Sequence, residues 1–244
     1  MQITVATLHF GEIPYFRYTD AINRQYCNLH GYRYEVLSPP DAYTRSPIWS
    51  KVEGVTALLQ QSDYVLFLDA DAYFHKMSRR IEHLIEENMD DAAVLFGTDR
   101  RDRHFAWSDS NANCGVFLVR QCPEAFQILE EWWNCPITNK VWLWCWPPEQ
   151  GAFNSYVKDG SNARHVRIID YSHIHGVDGK YIRHLVGCTD EDRLVTLRSV
   201  ARRSQFKLHF LRYAQRWSAR VRRVLSPGLK SVGTCAKERA YSSQ

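Results

Sequence analysis

Two carboxylates directly follow a short apolar stretch in the first third of the chain. The stretch Tyr64–Leu68 ends at Asp69, and Asp71 comes two positions later. Such a run, bounded by polar residues, predicts a buried strand of a parallel sheet. Ligands of open α/β sheets bind beyond the carboxyl ends of the strands. We therefore expect Asp69 and Asp71 to face a ligand.

The spacing of this pair favours a bound cation. Two carboxylates this close repel each other unless a cation lies between them or one takes up a proton. Mg2+ and Mn2+ accept carboxylate oxygens and commonly bridge them to substrate phosphates. Asp69 and Asp71 thus predict a metal–diphosphate site. Asp-x-Asp pairs also occur in strand-end turns and helix caps, so the pair alone does not establish the site.

A third ligand to such a cation could be an imidazole from a distant loop, because imidazole also suits Mn2+. A late segment offers three histidines, His173, His175 and His184. His184 stands before a small turn, in the sequence His-Leu-Val-Gly187-Cys188. A lone histidine is more often a surface or core residue, so this interpretation depends on the other motifs.

The elements that would position these residues alternate between strand and helix. The first part of the chain predicts strands at Gln2–Leu8, Tyr32–Leu37 and Tyr64–Leu68 and helices at Asp20–His30 and Val52–Gln61. This order indicates a parallel, right-handed wound sheet with flanking helices. The remainder predicts strands at Ala92–Gly97, Asn111–Val119 (beginning as a turn) and Val166–Ile169, with helices at Ile81–Asn88, Pro123–Trp133 and Gln150–Lys158.

Length and composition fit one α/β domain with an appended segment. The 244 residues are 45% hydrophobic and 24% charged, as in ordinary globular proteins. No apolar run approaches the ~20 residues of a membrane span, and the first residues predict a strand rather than a signal peptide. Seven cysteines without CxxC spacing argue against a disulfide framework or a zinc site. We therefore expect reduced cysteines and a cytoplasmic location, either free or peripheral on a membrane.

The charge is distributed unevenly. Residues 201–244 hold 11 of the 31 Lys and Arg but only one of the 27 acids, so the body is acidic and the tail basic. Apolar residues between 206 and 224 recur at steps of three and four with arginines between them, which predicts a basic amphipathic helix. We expect one α/β domain at 1–195 and a basic helical tail at 196–244. Residues 201–225 could contact an anionic membrane or pack on the body. No nucleic-acid reader motif is present, so no nucleic acid is expected as a partner.

Several short motifs occur in an order that resembles glycosyltransferase family 34, which includes fungal galactosyl- and mannosyltransferases and plant xyloglucan xylosyltransferases. Family 8 retaining galactosyltransferases share this general layout. The resemblance covers about residues 1–190. It is carried by Asn28–Tyr34, Trp49-Ser-Lys51, Leu68-Asp-Ala-Asp71, Asn111-Ala-Asn-Cys-Gly115, Glu149-Gln150 and His184-Leu-Val-Gly-Cys188.

This resemblance implies a GT-A fold (Rossmann-like), a nucleotide-diphosphate sugar donor, Mn2+ or Mg2+, and retention of anomeric configuration. The metal ligands would be Asp69, Asp71 and His184. The catalytic pair beside the anomeric carbon would be Glu149 and Gln150, where Glu replaces the Asp of the family. Residues implied to contact the donor are Thr7, Lys51, Asp69, Asp99, Asn113, Gly115 and Gly187.

A tryptophan-rich region precedes the predicted catalytic pair. Five of the eight tryptophans lie between residues 132 and 146. Flat aromatic rings stack on sugar faces, so this region could form an acceptor subsite. It could equally be a hydrophobic plug or a lipid-contacting patch.

Taken together, the sequence predicts a retaining, metal-dependent hexosyltransferase. UDP-galactose is the first expected donor, then another UDP-hexose or GDP-mannose, with a glycan or glycolipid acceptor. One alternative is a catalytically inactive scaffold that binds sugar nucleotides. A second is an Asp-x-Asp phosphatase, in which the pair closes the first strand and a small hydroxyl residue follows, whereas Ala72 and Tyr73 follow here. Sugar-nucleotide-forming nucleotidyltransferases need a Gly-rich, basic N-terminal loop, which residues 9–14 do not supply.

Overall fold

The structure is a computed structural model that describes residues 1–40, 44–99, 111–144, 146–176 and 179–203. The strands are β1 (Ile3–Leu8), β2 (Arg33–Leu37), β3 (Tyr64–Leu68), β4 (Ala72–Phe74), β5 (Val94–Thr98), β6 (Ala112–Arg120), β7 (Val166–Ile169) and β8 (Ile182–His184). The α-helices are α1 (Phe16–His30), α2 (Ser50–Leu59), α3 (Ile81–Asn88), α4 (Pro123–Thr138), α5 (Pro148–Ala152) and α6 (Tyr171–Ile174). Residues 190–203 are also helical and are called α7.

The central sheet has six strands in the order β2-β1-β3-β6-β5-β7. Three of its pairings are parallel, β1 with β2, β1 with β3, and β5 with β7. β6 is antiparallel to both of its neighbours. The prediction of a GT-A-like α/β fold with a central, mostly parallel sheet and flanking helices is confirmed.

The reversed strand β6 places its first residues beside the end of β3. Leu68 pairs with Val116, so the residues before Val116 extend past the carboxyl end of β3. The backbone N–H of Asp69 donates to the carbonyl of Gly115 at 2.7 Å. The motif Asn113-Cys114-Gly115 is therefore in strand conformation next to the first carboxylate. The sequence predicts a turn at the start of this segment. That prediction is wrong for residues 112–115, which belong to β6.

A second, two-stranded sheet lies after β3. β4 pairs antiparallel with β8, and Ala72 is opposite His184 in the register. The backbone N–H of Leu185 also donates to the carbonyl of Asp71 at 3.2 Å. This small sheet joins two segments more than 100 residues apart and brings a histidine next to the carboxylate pair.

The core fills both faces of the central sheet, which explains the continuous apolar run of β3. Val65 and Phe67 contact one buried cluster, with residues of α2 and α4. Leu66 and Leu68 face a second cluster, with residues of α1 and α3. Successive side chains of a strand point to opposite faces, so a strand covered on both sides is apolar at every position.

Several element boundaries differ from the predicted ones. α1 begins at Phe16 rather than Asp20, and α4 continues past Trp133 to Thr138. The helix expected over Gln150–Lys158 is an α-helix that starts earlier, at Pro148, and is followed by a π-helical turn at Phe153–Val157. Proline is favourable at a first helical position because its missing N–H has no intrahelical acceptor there.

Residues Met1–Ala201 form one compact unit that contains all the strands given above. The domain boundary predicted between residues 195 and 196 falls inside α7, and the division into domain and tail stays a prediction. The apolar and basic positions from 206 to 224, on which the amphipathic helix and the membrane contact depend, lie outside the described residues. Among the helices of the described ranges, none has both the length and the apolar character to cross a bilayer.

Candidate active site

Three predicted metal ligands converge at the carboxyl end of β3. Asp69, Asp71 and His184 each offer one ligand atom, and these atoms lie within 4.8 Å of one another. His184 Nε2 is 3.0 Å from Asp71 Oδ1 and 3.9 Å from Asp69 Oδ2. Two carboxylate oxygens and one imidazole nitrogen form a donor set that suits Mn2+ and leaves coordination positions for phosphate oxygens. The side chains therefore fit a divalent cation.

Gly115 provides the space in which these ligands meet. A Cβ at this position would lie 2.2 Å from Cε1 of His184 and 2.6 Å from Oδ2 of Asp69. Any side chain at residue 115 would therefore push the imidazole or the carboxylate out of place. The sequence motif predicts a donor contact for this glycine, and the structure shows that it packs against two of the predicted metal ligands.

Lys51 connects the carboxylate pair to the predicted catalytic pair. Its side chain is 0% exposed, and its Nζ contacts Asp69 Oδ1 at 2.9 Å, Glu149 Oε1 at 3.0 Å and the carbonyl of Cys114 at 3.3 Å. The three acceptors match the three N–H donors of a lysine ammonium. Lys51 thus fixes Asp69 and Glu149 relative to each other. Its predicted contact with the donor stays a prediction.

Glu149 and Gln150 lie at the start of α5, and both are buried. The Trp132 indole N–H donates to the Glu149 carbonyl at 2.7 Å and holds this first turn against the core. Gln150 accepts from the Cys114 N–H at 3.0 Å through Oε1 and donates to Asp99 Oδ2 at 2.8 Å through Nε2. Gln150 therefore joins the start of α5 to β6 and to the end of β5. Glu149 and Gln150 are called the α5 pair below.

Asp99 and Asn113 belong to the same hydrogen-bond network. Asn113 Nδ2 donates to Asp99 Oδ1 at 3.1 Å, and Asn113 Oδ1 accepts from the Gly115 N–H at 3.0 Å. Asp99 directly follows β5, so this carboxylate lies at the same sheet edge as Asn113 and Gly115. The predicted donor residues 99, 113 and 115 are thereby brought together with Gln150.

Thr7 and Gly187 are placed differently. Thr7 is buried near the end of β1, directly opposite Leu68, one residue before the carboxylate pair begins. Gly187 has φ 76° in the turn after β8, and a Cβ there would meet open space. A left-handed backbone, rather than close packing, explains glycine at this position. The donor contacts predicted for both residues stay predictions.

The charges of the site depend on burial and on neighbours. Burial opposes ionisation of Asp71, but His184, Arg193 and a backbone hydrogen bond together outweigh it and lower the pKa of Asp71 to about 2. Burial likewise opposes protonation of His184, yet Asp71 raises the pKa of this imidazole. The pKa of Glu149 is raised because burial outweighs the effect of Lys51. The pKa of Lys51 is raised because Asp69 and Glu149 outweigh burial.

Two further side chains contact the predicted ligands and were not assigned from the sequence. Arg193, on α7, donates from Nε to Asp71 Oδ2 at 2.9 Å. His175 Nδ1 lies 3.1 Å from His184 Nδ1. His175 was noted only as a member of a histidine-rich segment, and no local sequence signal distinguishes Arg193 from the other arginines. Both roles depend on tertiary contacts.

The tryptophans of residues 132–146 divide between core and surface. Trp132 is fully buried, and Trp49 donates to the Trp142 carbonyl at 2.9 Å. A Cβ on Gly151 would lie 2.1 Å from the Trp142 ring, so this indole packs closely against α5. Trp144 is 59% and Trp146 is 76% exposed. Trp132 and Trp142 therefore pack against the core, whereas Trp144 and Trp146 form an exposed aromatic surface.

Comparisons with known proteins agree with this architecture. A glycosyltransferase described as involved in the glycosylation of the major capsid of PBCV-1 has a similar structure, with a TM-score of 0.62 and 17% identity over 82% of this chain and 100% of that one. The glycosyltransferase GlyE of Streptococcus pneumoniae aligns with a TM-score of 0.47 and 12% identity, over 71% of this chain and 46% of that one. A search of curated proteins gives no significant match. At 17% identity the first likeness shows a shared fold only. The second has a TM-score below 0.5, so no conclusion about fold or function is drawn from it.

The sequence itself matches a protein-family model. The model for nucleotide-diphospho-sugar transferases aligns with residues 43–211, well over half of the chain. The aligned range includes all three predicted metal ligands, both members of the α5 pair and Lys51. The chain therefore belongs to the nucleotide-diphospho-sugar transferase family, whose members are glycosyltransferases.

Proposed function

We propose that this protein is a retaining, metal-dependent glycosyltransferase that moves a hexose, with galactose as the first candidate, from a nucleotide-diphosphate sugar to a glycan or glycolipid. The observation that carries the proposal is the single site formed by the Asp69–Asp71–His184 ligand set and the Glu149–Gln150 pair, joined through buried Lys51. The ligand set suits a cation that holds a diphosphate, and the pair supplies groups for a reacting sugar.

The earlier resemblance to glycosyltransferase family 34, and through it to family 8, supports this assignment. Its motifs are spread over more than 100 residues of sequence. Those at residues 51, 69–71, 113–115, 149–150 and 184 are linked in space by hydrogen bonds and ion pairs. Short motifs that match by chance have no reason to converge on one sheet edge.

The chemistry of the site fits transfer of a glycosyl group. A bound Mn2+ or Mg2+ would stabilise the negative charge that develops on the leaving diphosphate. Asp69, Asp71 and His184 would hold that ion, and Lys51 would fix the orientation of Asp69. Transfer gives the sugar an oxocarbenium-like transition state, which a nearby carboxylate or amide oxygen stabilises.

Glu149 is the side chain best suited to that stabilising role. Lys51 binds its Oε1, whereas Oε2 is buried and makes no hydrogen bond to any described residue. A carboxylate oxygen kept in a dry environment interacts strongly with positive charge. We assign Glu149 to stabilise the positive charge that develops on the reacting sugar. We assign Gln150 to position Asp99 for contact with the sugar hydroxyls.

The acceptor is proposed to bind along the exposed tryptophans. Trp144 and Trp146 precede α5 by only a few residues, so their rings lie close in sequence to the catalytic pair. Stacking of sugars on exposed indoles is a common mode of carbohydrate recognition. A glycan acceptor accounts for this surface. A glycolipid acceptor would in addition fit a contact of residues 201–225 with an anionic membrane.

A donor screen tests the proposal. The full chain is incubated with a glycan acceptor and with UDP-galactose, UDP-glucose or GDP-mannose as donor, in Mn2+ or in EDTA, and released nucleotide and glycosylated acceptor are measured. We expect Mn2+-dependent turnover of one donor, loss of turnover in Asp71→Asn, and a product whose anomeric configuration by NMR equals that of the donor. Inversion would contradict retention. Metal-dependent binding without turnover of any donor or acceptor would favour the inactive scaffold instead.

A further inference from the structure

We propose that His175 is a positioning residue for the metal site, which keeps the proton of His184 on Nδ1 and thereby leaves Nε2 free to bind the cation. This inference rests on the proposed metal-dependent function and extends it to a residue outside the ligand set. It is carried by the contact between the two imidazoles and by the shape of the pocket around His175.

The contact between the rings is direct. His175 Nδ1 and His184 Nδ1 lie 3.1 Å apart, and both rings are buried. The main chain adds a second link, because the His184 N–H donates to the His175 carbonyl at 3.2 Å. His175 thus contacts the predicted ligand His184 through both its side chain and its main chain.

A hydrogen bond between two Nδ1 atoms contains one proton, which belongs to one ring or the other. If His175 donates, neutral His184 carries its own proton on Nε2 and cannot ligate through that atom. If His184 donates through Nδ1, its Nε2 can release its own proton when a cation enters beside Asp71 and Asp69, and the lone pair then faces the ion. Metal-binding histidines commonly donate their second ring N–H to an acceptor that fixes the tautomer. Here the acceptor would be an imidazole rather than a carboxylate.

No neighbour among the described residues fixes the proton of His175 through a hydrogen bond to Nε2, so Nδ1 can serve as that acceptor. Its Nε2 makes no hydrogen bond among the described residues, and its ring stacks with Tyr171 at 5.5 Å. Gly97 lies against the ring, where a Cβ would be 2.3 Å from Cδ2 of His175. An imidazole that carries its proton on Nε2 keeps a lone pair on Nδ1, so His175 can accept there.

Two matched variants test the role. His175→Phe keeps a ring but removes the acceptor, and His175→Asn puts an amide oxygen near the position of Nδ1. Mn2+ binding to the full chain is measured by calorimetry, with thermal unfolding as the control for folding. We expect His175→Phe to bind Mn2+ about 10- to 100-fold more weakly. We expect His175→Asn to recover most of that loss. Equal losses in both variants, or no loss in His175→Phe, would overturn the inference.

A second measurement uses the unaltered protein and does not depend on either variant folding. Long-range proton–nitrogen correlation spectra of the 15N-histidine-labelled chain, recorded with Mg2+, report the tautomer of each ring. The expected result is a proton on Nδ1 of His184 and on Nε2 of His175. The opposite pattern would refute the proposal. If the unaltered chain binds neither Mn2+ nor Mg2+, the metal site of the proposed function fails and this inference with it. Binding that is insensitive to His175 refutes this inference alone.

Discussion

Arg193 and Asp71 form an ion pair across the edge of the candidate active site, with 2.9 Å between Nε and Oδ2. His184 binds the other oxygen of the same carboxylate at 3.0 Å. Both oxygens of Asp71 are therefore engaged by side chains that carry or can carry positive charge. A divalent cation that uses Asp71 would compete with Arg193 for the negative charge of this carboxylate.

The first prediction follows from this competition. Arg193→Met should bind Mn2+ more tightly than the unaltered chain, because the ion no longer shares the charge of Asp71 with a guanidinium. A partly exposed ion pair contributes up to about 1 kcal/mol, which corresponds to roughly a 5-fold change in affinity. Calorimetry with Mn2+ alone measures the effect.

Arg198→Met provides the control for Arg193→Met. Arg198 is exposed on the same helix, so its loss should change neither Mn2+ affinity nor stability. Weaker Mn2+ binding in Arg193→Met would show instead that the arginine holds Asp71 in a geometry that the ion requires.

The second prediction concerns the buried ammonium of Lys51. Lys51→Met leaves Asp69 and Glu149 without their shared counterion in a site where the lysine is 0% exposed. Breaking a buried charge pair by removing one partner costs about 3 to 5 kcal/mol, so the free energy of unfolding should fall by that amount. Urea denaturation measures it, with exposed Lys76→Met as the control. Unchanged stability combined with weaker donor binding would argue that Lys51 serves the donor rather than the fold.

The third prediction tests the space at Gly115. In Gly115→Ala the added Cβ must displace His184 or Asp69, since it would lie 2.2 Å and 2.6 Å from their atoms. We expect Mn2+ affinity to fall by about 10-fold or more, in line with the loss seen when a ligand's support is disturbed. Circular dichroism should show that secondary structure is kept. Mn2+ binding equal to that of the unaltered chain would mean that the ligands move without loss.

The sequence was sufficient for the features that are local in the chain. The strand Tyr64–Leu68, the helix Ile81–Asn88 and the strand Val166–Ile169 have the predicted bounds. The apolar run of the first explains why: it is covered on both faces, so every residue of the strand carries the signal. The convergence of Asp69, Asp71 and His184 is not local, and it was expected from the resemblance that the ordered motifs carry.

The sequence could not reveal contacts that are made by elements too short to show a hydrophobic pattern. β4 and β8 have three residues each, which is below the length at which alternation can be recognised. The positions of His175 and Arg193 depend on that pairing and on the turn after it. A lysine near the start of a helix, such as Lys51, is usually solvated. Only the tertiary structure shows that two acids and a carbonyl surround it.

The fourth prediction separates the sugar side of the site from the metal side. Gln150 uses its two amide atoms differently, because Oε1 accepts from the Cys114 N–H and Nε2 donates to Asp99. Gln150→Glu keeps the shape and the acceptor but places a second carboxylate oxygen 2.8 Å from Asp99 Oδ2. Repulsion should displace Asp99 from the donor sugar. We expect kcat/KM to fall by about 10-fold, equivalent to ~1.4 kcal/mol, with Mn2+ affinity unchanged.

The double variant Gln150→Glu with Asp99→Asn decides whether this repulsion is the cause. The second change supplies an amide N–H that can donate to the new carboxylate, so the hydrogen bond is restored with donor and acceptor exchanged. Turnover should recover in part if Asp99 matters for its position, because the link between α5 and the end of β5 is rebuilt. It should fall further if the negative charge of Asp99 itself binds the sugar. Full turnover in Gln150→Glu alone would remove both residues from the proposed sugar contacts, while Mn2+ binding, measured in the same samples, reports the ligand set separately.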